Sequence, residues 1–397
     1  MYNRAYKYRL YPNKSQEELL QKHFGSCRFV YNHFLEIKIK HYKETKETIT
    51  WIDLANQLPK IKEEFEWLKE INAQTLQQSI LNLDRAYTLF FRSGFRFPKF
   101  KSKKISKLSF IVPNGNNNTN IKLNNLNNKI ILPKFREGIK CIFDREIPID
   151  QKIKSATISQ NKDEKYYVSV LVEIDKEFPT KPEPTKDKAI GLDFGVKTFI
   201  TLNNGEKIEN PKFMDKSYEK LKKHQQELEL IPKDKATKHK SKKEQITKLY
   251  SKITRQKKDY LDKLSYKLTH DNQVDTICIE DLSIKKLQQI NYSSSNYKMN
   301  DYAWGKFVNM LQYKGDWYGK NIRKIGEFDP SSKMCSNCGN INHSLTLDIR
   351  EWKCSSCNTN HDRDVNAAIN IVDFAFPKTK FKKDRNGPIE IDNLINC

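Results

Sequence analysis

The segment Asp329–Ile371, DPSSKMCSNCGNINHSLTLDIREWKCSSCNTNHDRDVNAAINI, decides how this chain is read. Cys335-x-x-Cys338 and Cys354-x-x-Cys357 are separated by about fifteen residues, the spacing of a four-cysteine zinc site. Zinc takes four ligands in a tetrahedron, and each C-x-x-C knuckle supplies two neighbouring corners. Asn337, Gly339 and Asn358 allow the tight turns that aim backbone amides at the sulfurs. Four free thiols in loops is the bland alternative, and the paired spacing argues against it. One structural zinc ion is expected at Cys335, Cys338, Cys354 and Cys357. A ribbon of this kind names no function. His361-Asp-Arg-Asp364-Val-Asn-Ala-Ala-Ile-Asn370 follows it directly, an acidic turn running into a helix.

Composition sets the partner class. The 397 residues carry 72 Lys plus Arg against 49 Asp plus Glu, a formal net charge of +23. Basic residues spread along the chain and mixed with Tyr and Phe point to a polyanion, nucleic acid first, because cations gain affinity by releasing counterions from phosphates. The bland reading is a solvated lysine-rich surface, encouraged by an AT-rich genome. Cys27, Cys141, Cys278 and Cys397 are scattered, so cysteine usage fits a reducing compartment with one metal site rather than a disulfide framework. MYNRAYKYRLYPN lacks an apolar signal region and no apolar run is long enough to span a bilayer. A cytoplasmic protein without membrane association is expected.

Taken in order, Arg4–Tyr11 alternates as a strand and Pro12 ends it. A long helix opens near Ser15, the expected N-cap, and carries Leu19, Leu20, Phe24, Phe29, Val30, Phe34 and Ile37 at helical spacing. Further helices are expected over Trp51–Leu58, stopping before Pro59, and over Ala73–Phe91. Beyond the basic RFPKFKSKK, short strands are expected at Leu108–Val112, Lys129–Leu132, Lys140–Phe143, Lys154–Ser159 and Tyr166–Glu173, with the Asn-rich NGNNNTNIKLNNLNNK as loop and turns. These strands, joined by the first one, suggest a β-barrel with the helices as an excursion. After the linker PTKPEPTKD, Ala189-Ile-Gly-Leu-Asp-Phe-Gly195 opens a second domain. Strands at Val196–Leu202 and Gly205–Ile208, two charged helices broken near Pro232, the strand Thr276–Leu282, a helix at Tyr302–Tyr318 and a strand at Asn321–Phe328 complete it.

Asp193 and Glu280 interrupt apolar strands and Asp364 opens a helix. Burying an unpaired carboxylate is costly. A salt bridge to lysine is the bland explanation for one such residue. Three in an α/β domain favour a shared divalent cation site, in which two Mg²⁺ ions about four ångströms apart activate water and stabilise a leaving 3′ oxygen. Alternation puts Cys278 and Glu280 on one face and Asp281 on the other, which makes Asp281 the weaker candidate. Residue chemistry alone leaves Asp362 and Asp364 both open.

RAYKYRLYPNKSQ, CRFVYNHFL, FRFPKFKSKK, IILPKF, GLDFGVKTFITLNNGEKIENPKF, ICIEDLSIKKL, YAWGKFVNMLQYKGDWYG and the ribbon segment together resemble the TnpB family. These are transposon-encoded, OrfB-type nucleases related to compact type V CRISPR effectors, and the resemblance covers nearly the whole chain. It implies an α/β multidomain protein with an RNase H-like (RuvC-like) nuclease domain, an inserted four-cysteine zinc ribbon and an N-terminal β-barrel carrying an inserted helical module. The implied limits are 1–12 and 104–183 for the wedge-like barrel, 13–103 for the helical recognition module, 186–329 and 361–376 for the nuclease, 330–360 for the ribbon, and 377–397 for a disordered tail. The family's acidic motifs fall on Asp193, Glu280 and Asp364, the last in preference to Asp362. The resemblance further implies Mg²⁺ (two ions), a guide RNA from the transposon end, double-stranded target DNA beside a short target-adjacent motif, and a cytoplasmic, nucleoid-associated protein. Trp51, Gln74 and Gln77 fall in the region that contacts that motif, and Arg28 and Asn32 are candidates for RNA contact or local packing. An RNA-guided DNA endonuclease is thus the leading expectation. A guided DNA-binding regulator is disfavoured by the filled acidic triad. A direct transposase is disfavoured because no His-hydrophobe-His plus Tyr arrangement is evident.

Overall fold

The structure, a computed structural model, describes residues 1–115, 120–148, 151–195, 198–209, 211, 213–232, 234–281, 295–326, 329–346 and 348–376. The expected tail lies outside them. The chain divides into two compact units. One is Met1–Glu177 with His224–Ser251, and the other is Phe178–Lys223 with the described residues from Lys252 onward.

In the first unit, strand β1 (Tyr2–Tyr11) turns Tyr6, Tyr8 and Leu10 inward by simple alternation. Helices α1 (Lys14–Thr45), α2 (Trp51–Glu64) and α3 (Ala73–Ser93) follow, with one 3₁₀ turn at Glu66–Glu70. The remaining strands are β2 (Leu108–Pro113), β3 (Lys122–Asn124), β4 (Lys129–Leu132), β5 (Phe135–Ile142), β6 (Lys152–Gln160) and β7 (Tyr166–Ile174). They form one seven-stranded sheet in the order β2-β6-β7-β1-β5-β4-β3. The first strand of the chain therefore lies inside the sheet, antiparallel to β5 and β7, and all three helices fall in sequence between it and β2.

Local detail departs from the sequence reading in three places. The N-cap of α1 is Asn13, not Ser15. Its carboxamide accepts from the Gln16 amide and Gln16 returns a bond to the Asn13 amide, a reciprocal capping box, while Ser15 donates to Asn13. Helix α2 continues through Pro59 to Glu64, because Leu54, Leu58 and Ile61 keep one apolar face buried across the lost amide bond. A short strand, β3, forms inside the Asn-rich stretch. Among the described residues the seven strands form one ladder with β2 and β3 at its ends. There the edges meet through Asn114, whose side-chain oxygen accepts from the Ile121 amide, and Asn120, which donates to the Pro113 carbonyl.

The second unit is built on a five-stranded sheet of order β10-β9-β8-β11-β12. Its strands are β8 (Ala189–Phe194), β9 (Thr198–Leu202), β10 (Lys207–Glu209), β11 (Thr276–Ile279) and β12 (Asn321–Lys324). β10, β9 and β8 are antiparallel, whereas β11 runs parallel to both β8 and β12. Helices α4 (Phe213–Leu230) and α5 (Ala236–His270), whose His224–Ser251 portion belongs to the first unit, come in sequence between β10 and β11, and α6 (Ser295–Tyr318) precedes β12. Leu192, Phe194 and Ile277 pack with Leu261, Leu264, Phe307 and Leu311 of α5 and α6 on one face. On the other, Ala189, Cys278 and Ile325 pack with Ile371 and Val372 of α7 (Arg363–Ala375). A two-stranded ribbon, β13 (Glu351–Lys353) and β14 (Asn360–Asp362), leads into α7.

Candidate active site and metal centre

Register brings the strand carboxylates together. β11 pairs with β8 from Thr276↔Ala189 to Ile279↔Leu192, so the next step sets Glu280 level with Asp193. Alternation puts Gly191 and Asp193 on the face covered by α7. A Cβ at Gly191 would collide with the Ala368 carbonyl oxygen and lie 2.9 Å from Cγ2 of Val372. Glycine is required here for the close approach of helix to strand. Asp364, Ala368 and Val372 form one stripe of α7 at four-residue spacing. Four helical residues rise about 6 Å, and two strand residues rise about 6.6 Å. With Ala368 seated on Gly191, Asp364 falls beside Asp193.

Asp193 feels the charge of both other carboxylates. Burial pushes the Asp193 carboxyl well above its ordinary value, the negative charges of Glu280 and Asp364 push it further, and Arg363 and Arg350 partly offset this. Arg350 Nη1 bonds both oxygens of Asp364, at 3.1 and 3.4 Å. Glu280 Oε1 accepts a hydrogen bond from the Ser331 hydroxyl. Asp362 is engaged differently. Its Oδ1 accepts from the amides of Asp364 and Val365, both at 3.0 Å, capping α7, and its Oδ2 binds Lys207 Nζ at 2.6 Å. Burial raises its pKa, but the bonds from Lys207 and these amides outweigh that and leave it below the usual value. Asp281 is exposed and pairs with Lys324 at 3.2 Å. Three carboxylates near one sheet end have the chemistry for a hard, oxygen-seeking divalent ion, although among the described residues only the four cysteines stand as close to one another as the ligands of one ion do.

The four cysteine sulfurs all lie within 4.8 Å of one another. Cys335 to Cys357 and Cys338 to Cys354 are each 3.6 Å apart, close to the edge of about 3.8 Å in a tetrahedral zinc–thiolate centre. The positive φ of Asn358 and Gly339 supplies the turns after the knuckles. His361 lies with Nε2 3.0 Å from the Cys335 sulfur and its ring tilts against that of Trp352. This set could hold one tetrahedral metal ion.

Sequence reasoning missed Arg350, Ser331, Asn366 and Asn370. The asparagines left a readable signal, since two polar residues four apart lie on a helix face that is otherwise apolar. Among the nucleic-acid candidates, Trp51 begins α2 and is exposed rather than core. Gln74 and Gln77 are exposed in the first turns of α3, with Gln74 accepting from Asn120 at 2.6 Å. Arg28 is half-buried on α1. Asn32 makes a two-way bond with the Lys101 backbone, a packing role.

The family description "Probable transposase" matches residues 169–291, "Cas12f1-like, TNB domain" matches 304–371, and "Helix-turn-helix domain" matches 1–47, which here form β1 and the single helix α1. A Streptomyces pristinaespiralis protein that carries the provisional name RNA-guided DNA endonuclease is 33% identical over 371 residues, covering 93% of this chain and 88% of that protein. The chain belongs to the TnpB family. Another relative bearing the same provisional name, InsQ of Escherichia coli K12, is 29% identical over 93% of this chain and 91% of its own length. The fold is similar to that of a solved structure, Cas12f1 with single-guide RNA and target DNA. It superposes with a TM-score of 0.51 at 16% identity, over 94% of this chain and 98% of that one. That likeness concerns the fold, and it is compatible with a RuvC-like α/β domain. The names of the relatives support a nuclease.

Proposed function

We propose that this protein is an RNA-guided DNA endonuclease of a transposon, cutting double-stranded DNA beside a short target-adjacent motif. The observation that carries the reading is the placement of Asp193, Glu280 and Asp364 at one end of the sheet, by strand register and by the seat of α7 on Gly191. Asp193, Glu280 and Asp364 would hold two Mg²⁺ ions. When bound, magnesium supplies the Lewis-acid charge that activates water and offsets charge on the leaving 3′ oxygen. Arg350 limits repulsion in the cluster by pairing with Asp364. Lys207 and the α7 amides hold Asp362 as a cap, which keeps Asp364 at the helix start.

The division of labour follows the domain limits read from the sequence. The basic barrel, helical and nuclease surfaces hold the guide RNA, with Arg28 a candidate contact, and the helical and barrel modules read the adjacent motif in the region of Trp51, Gln74 and Gln77. Base pairing reads the rest of the target. The guide derives from the transposon end, and the protein works in the cytoplasm at the nucleoid. No helix among the described residues is long and apolar enough to cross a membrane.

The test is to purify the protein with its native flanking locus and sequence the RNA protected from nuclease. A single species ending at the transposon boundary, whose 3′ segment directs Mg²⁺-dependent cleavage of matching DNA, is the expected result. Heterogeneous RNA, or no cleavage of a matched target, would overturn the reading.

The ribbon ion is zinc and structural. Atomic emission should give one zinc per chain. Stripping it with a strong chelator should lower the melting temperature and release the ribbon to proteolysis, since few apolar residues besides Leu345 and Trp352 hold it together. An unchanged melt after complete zinc loss would contradict this.

A further inference from the structure

Ser331 stands four residues before the first ribbon cysteine and is only 4% exposed. Its hydroxyl donates to Oε1 of Glu280, from the far side of α6 in sequence. Its carbonyl accepts from Asn370 Nδ2 at 2.7 Å, and the same Nδ2 donates to the Met334 carbonyl at 2.6 Å. One turn earlier on α7, Asn366 donates to the Met334 carbonyl at 2.8 Å and accepts from the Ser336 amide at 2.9 Å. Asn366 and Asn370 are buried, at 1% and 0% exposure. The loop entering the first zinc knuckle is therefore clamped along the helix that carries Asp364, and its one inward hydroxyl rests on a carboxylate of the nuclease site.

We propose that Ser331 is a positioning residue for Glu280, and that through it the zinc knuckle sets the geometry of the nuclease carboxylates. The inference rests on the reading of Glu280 as a metal-binding carboxylate. Glu280 follows the last residue of β11, where the sheet no longer restrains it. A donor fixed on Oε1 restrains rotation of the carboxylate and leaves Oε2 as the oxygen to bind an ion. Asn370 fixes the backbone of Ser331, and the knuckle fixes the loop on its other side. Groups that orient a metal-binding side chain in this way typically change metal affinity or activity by about 10–100-fold when removed.

The experiment compares the full-length, zinc-loaded chain with Ser331→Ala, Ser331→Thr and Glu280→Gln. Mn²⁺ binding is followed by electron paramagnetic resonance, and single-turnover cleavage and target affinity are measured with guide RNA. Ser331→Ala should weaken Mn²⁺ binding and slow cleavage by about 10–100-fold, with zinc content and target affinity unchanged. Ser331→Thr, which keeps the hydroxyl, should recover most of both. Should Ser331→Ala lose zinc, Ser331→Cys, near-isosteric with a weaker donor, carries the same comparison. Wild-type Mn²⁺ binding and cleavage in Ser331→Ala, beside an inactive Glu280→Gln, overturns the positioning role and leaves the nuclease reading standing. Wild-type cleavage by Glu280→Gln overturns both.

Discussion

Asp193→Asn should abolish cleavage and, in the same protein, raise the melting temperature in the absence of divalent metal. The first effect follows from removing a ligand charge at the centre of the site. Metal stabilisation of transition-state charge amounts to several kcal/mol, so the expected loss is about a thousandfold in cleavage rate. The second follows from linkage. Asp193 in the metal-free fold has a proton affinity raised by burial and then by Glu280 and Asp364. The folded state thus binds a proton more tightly than the unfolded state does. Stability from this group is fully present below the unfolded value of about 3.9 and is lost as pH rises through the raised folded value. At pH values above that window, wild type carries the full penalty and the asparagine variant carries none. Melts in EDTA should show the variant above wild type at neutral pH, with the two converging at acid pH. Adding Mg²⁺ should raise the wild-type melt much more than that of the variant. A variant that melts lower in EDTA, or that cuts at the wild-type rate, would remove Asp193 from the site.

Gly191→Ala should be nearly as damaging without touching a charge. The added methyl meets the Ala368 carbonyl oxygen, part of a helix backbone with no rotamer to change, and Val372 Cγ2 at 2.9 Å. Overpacking of this kind costs about 3 kcal/mol, which in a unit of this size lowers the melting temperature by about 10 °C. The only relief is for α7 to lift from the sheet, and Asp364 rides on α7. A displacement of about 1 Å at the reacting groups can slow a reaction by about a hundredfold. Cleavage should therefore fall further than the loss of folded protein explains, when measured at a temperature where the variant is fully folded. Full activity at that temperature would mean that the helix does not set the position of Asp364.

The residues that declare themselves in sequence are those whose chemistry conflicts with their surroundings. Asp193 stands in an apolar strand, Glu280 ends one, and four cysteines recur at a metal spacing. Each is legible because simple burial cannot account for it. Asp362 and Asp364 are not separable that way, since both open the same helix. Only the cap bonds and Lys207 distinguish them. Ser331 and Arg350 were missed for the opposite reason: a serine or an arginine in a polar loop conflicts with nothing, and its partner is chosen by a fold that brings distant segments together. The β-strands of the first unit were largely readable from alternation. Pro59 misled because a local penalty was read without the tertiary packing of Leu54, Leu58 and Ile61 that outweighs it. Asn13 was passed over as a cap because Ser15 has the same chemistry two residues later.

Insertions and deletions should be tolerated very unevenly along this chain. Adding or losing one residue between Gly191 and Asp193 would turn the carboxylate to the opposite face of the sheet. One residue gained between Asp364 and Ala368 would swing the helix residue by about 100° around its axis. By contrast, the stretch between Leu230 and Ala236 separates two long helices in sequence and supplies none of the three carboxylates. A reporter or effector domain spliced there leaves both short spacings intact, and the nuclease can gain mass without losing alignment.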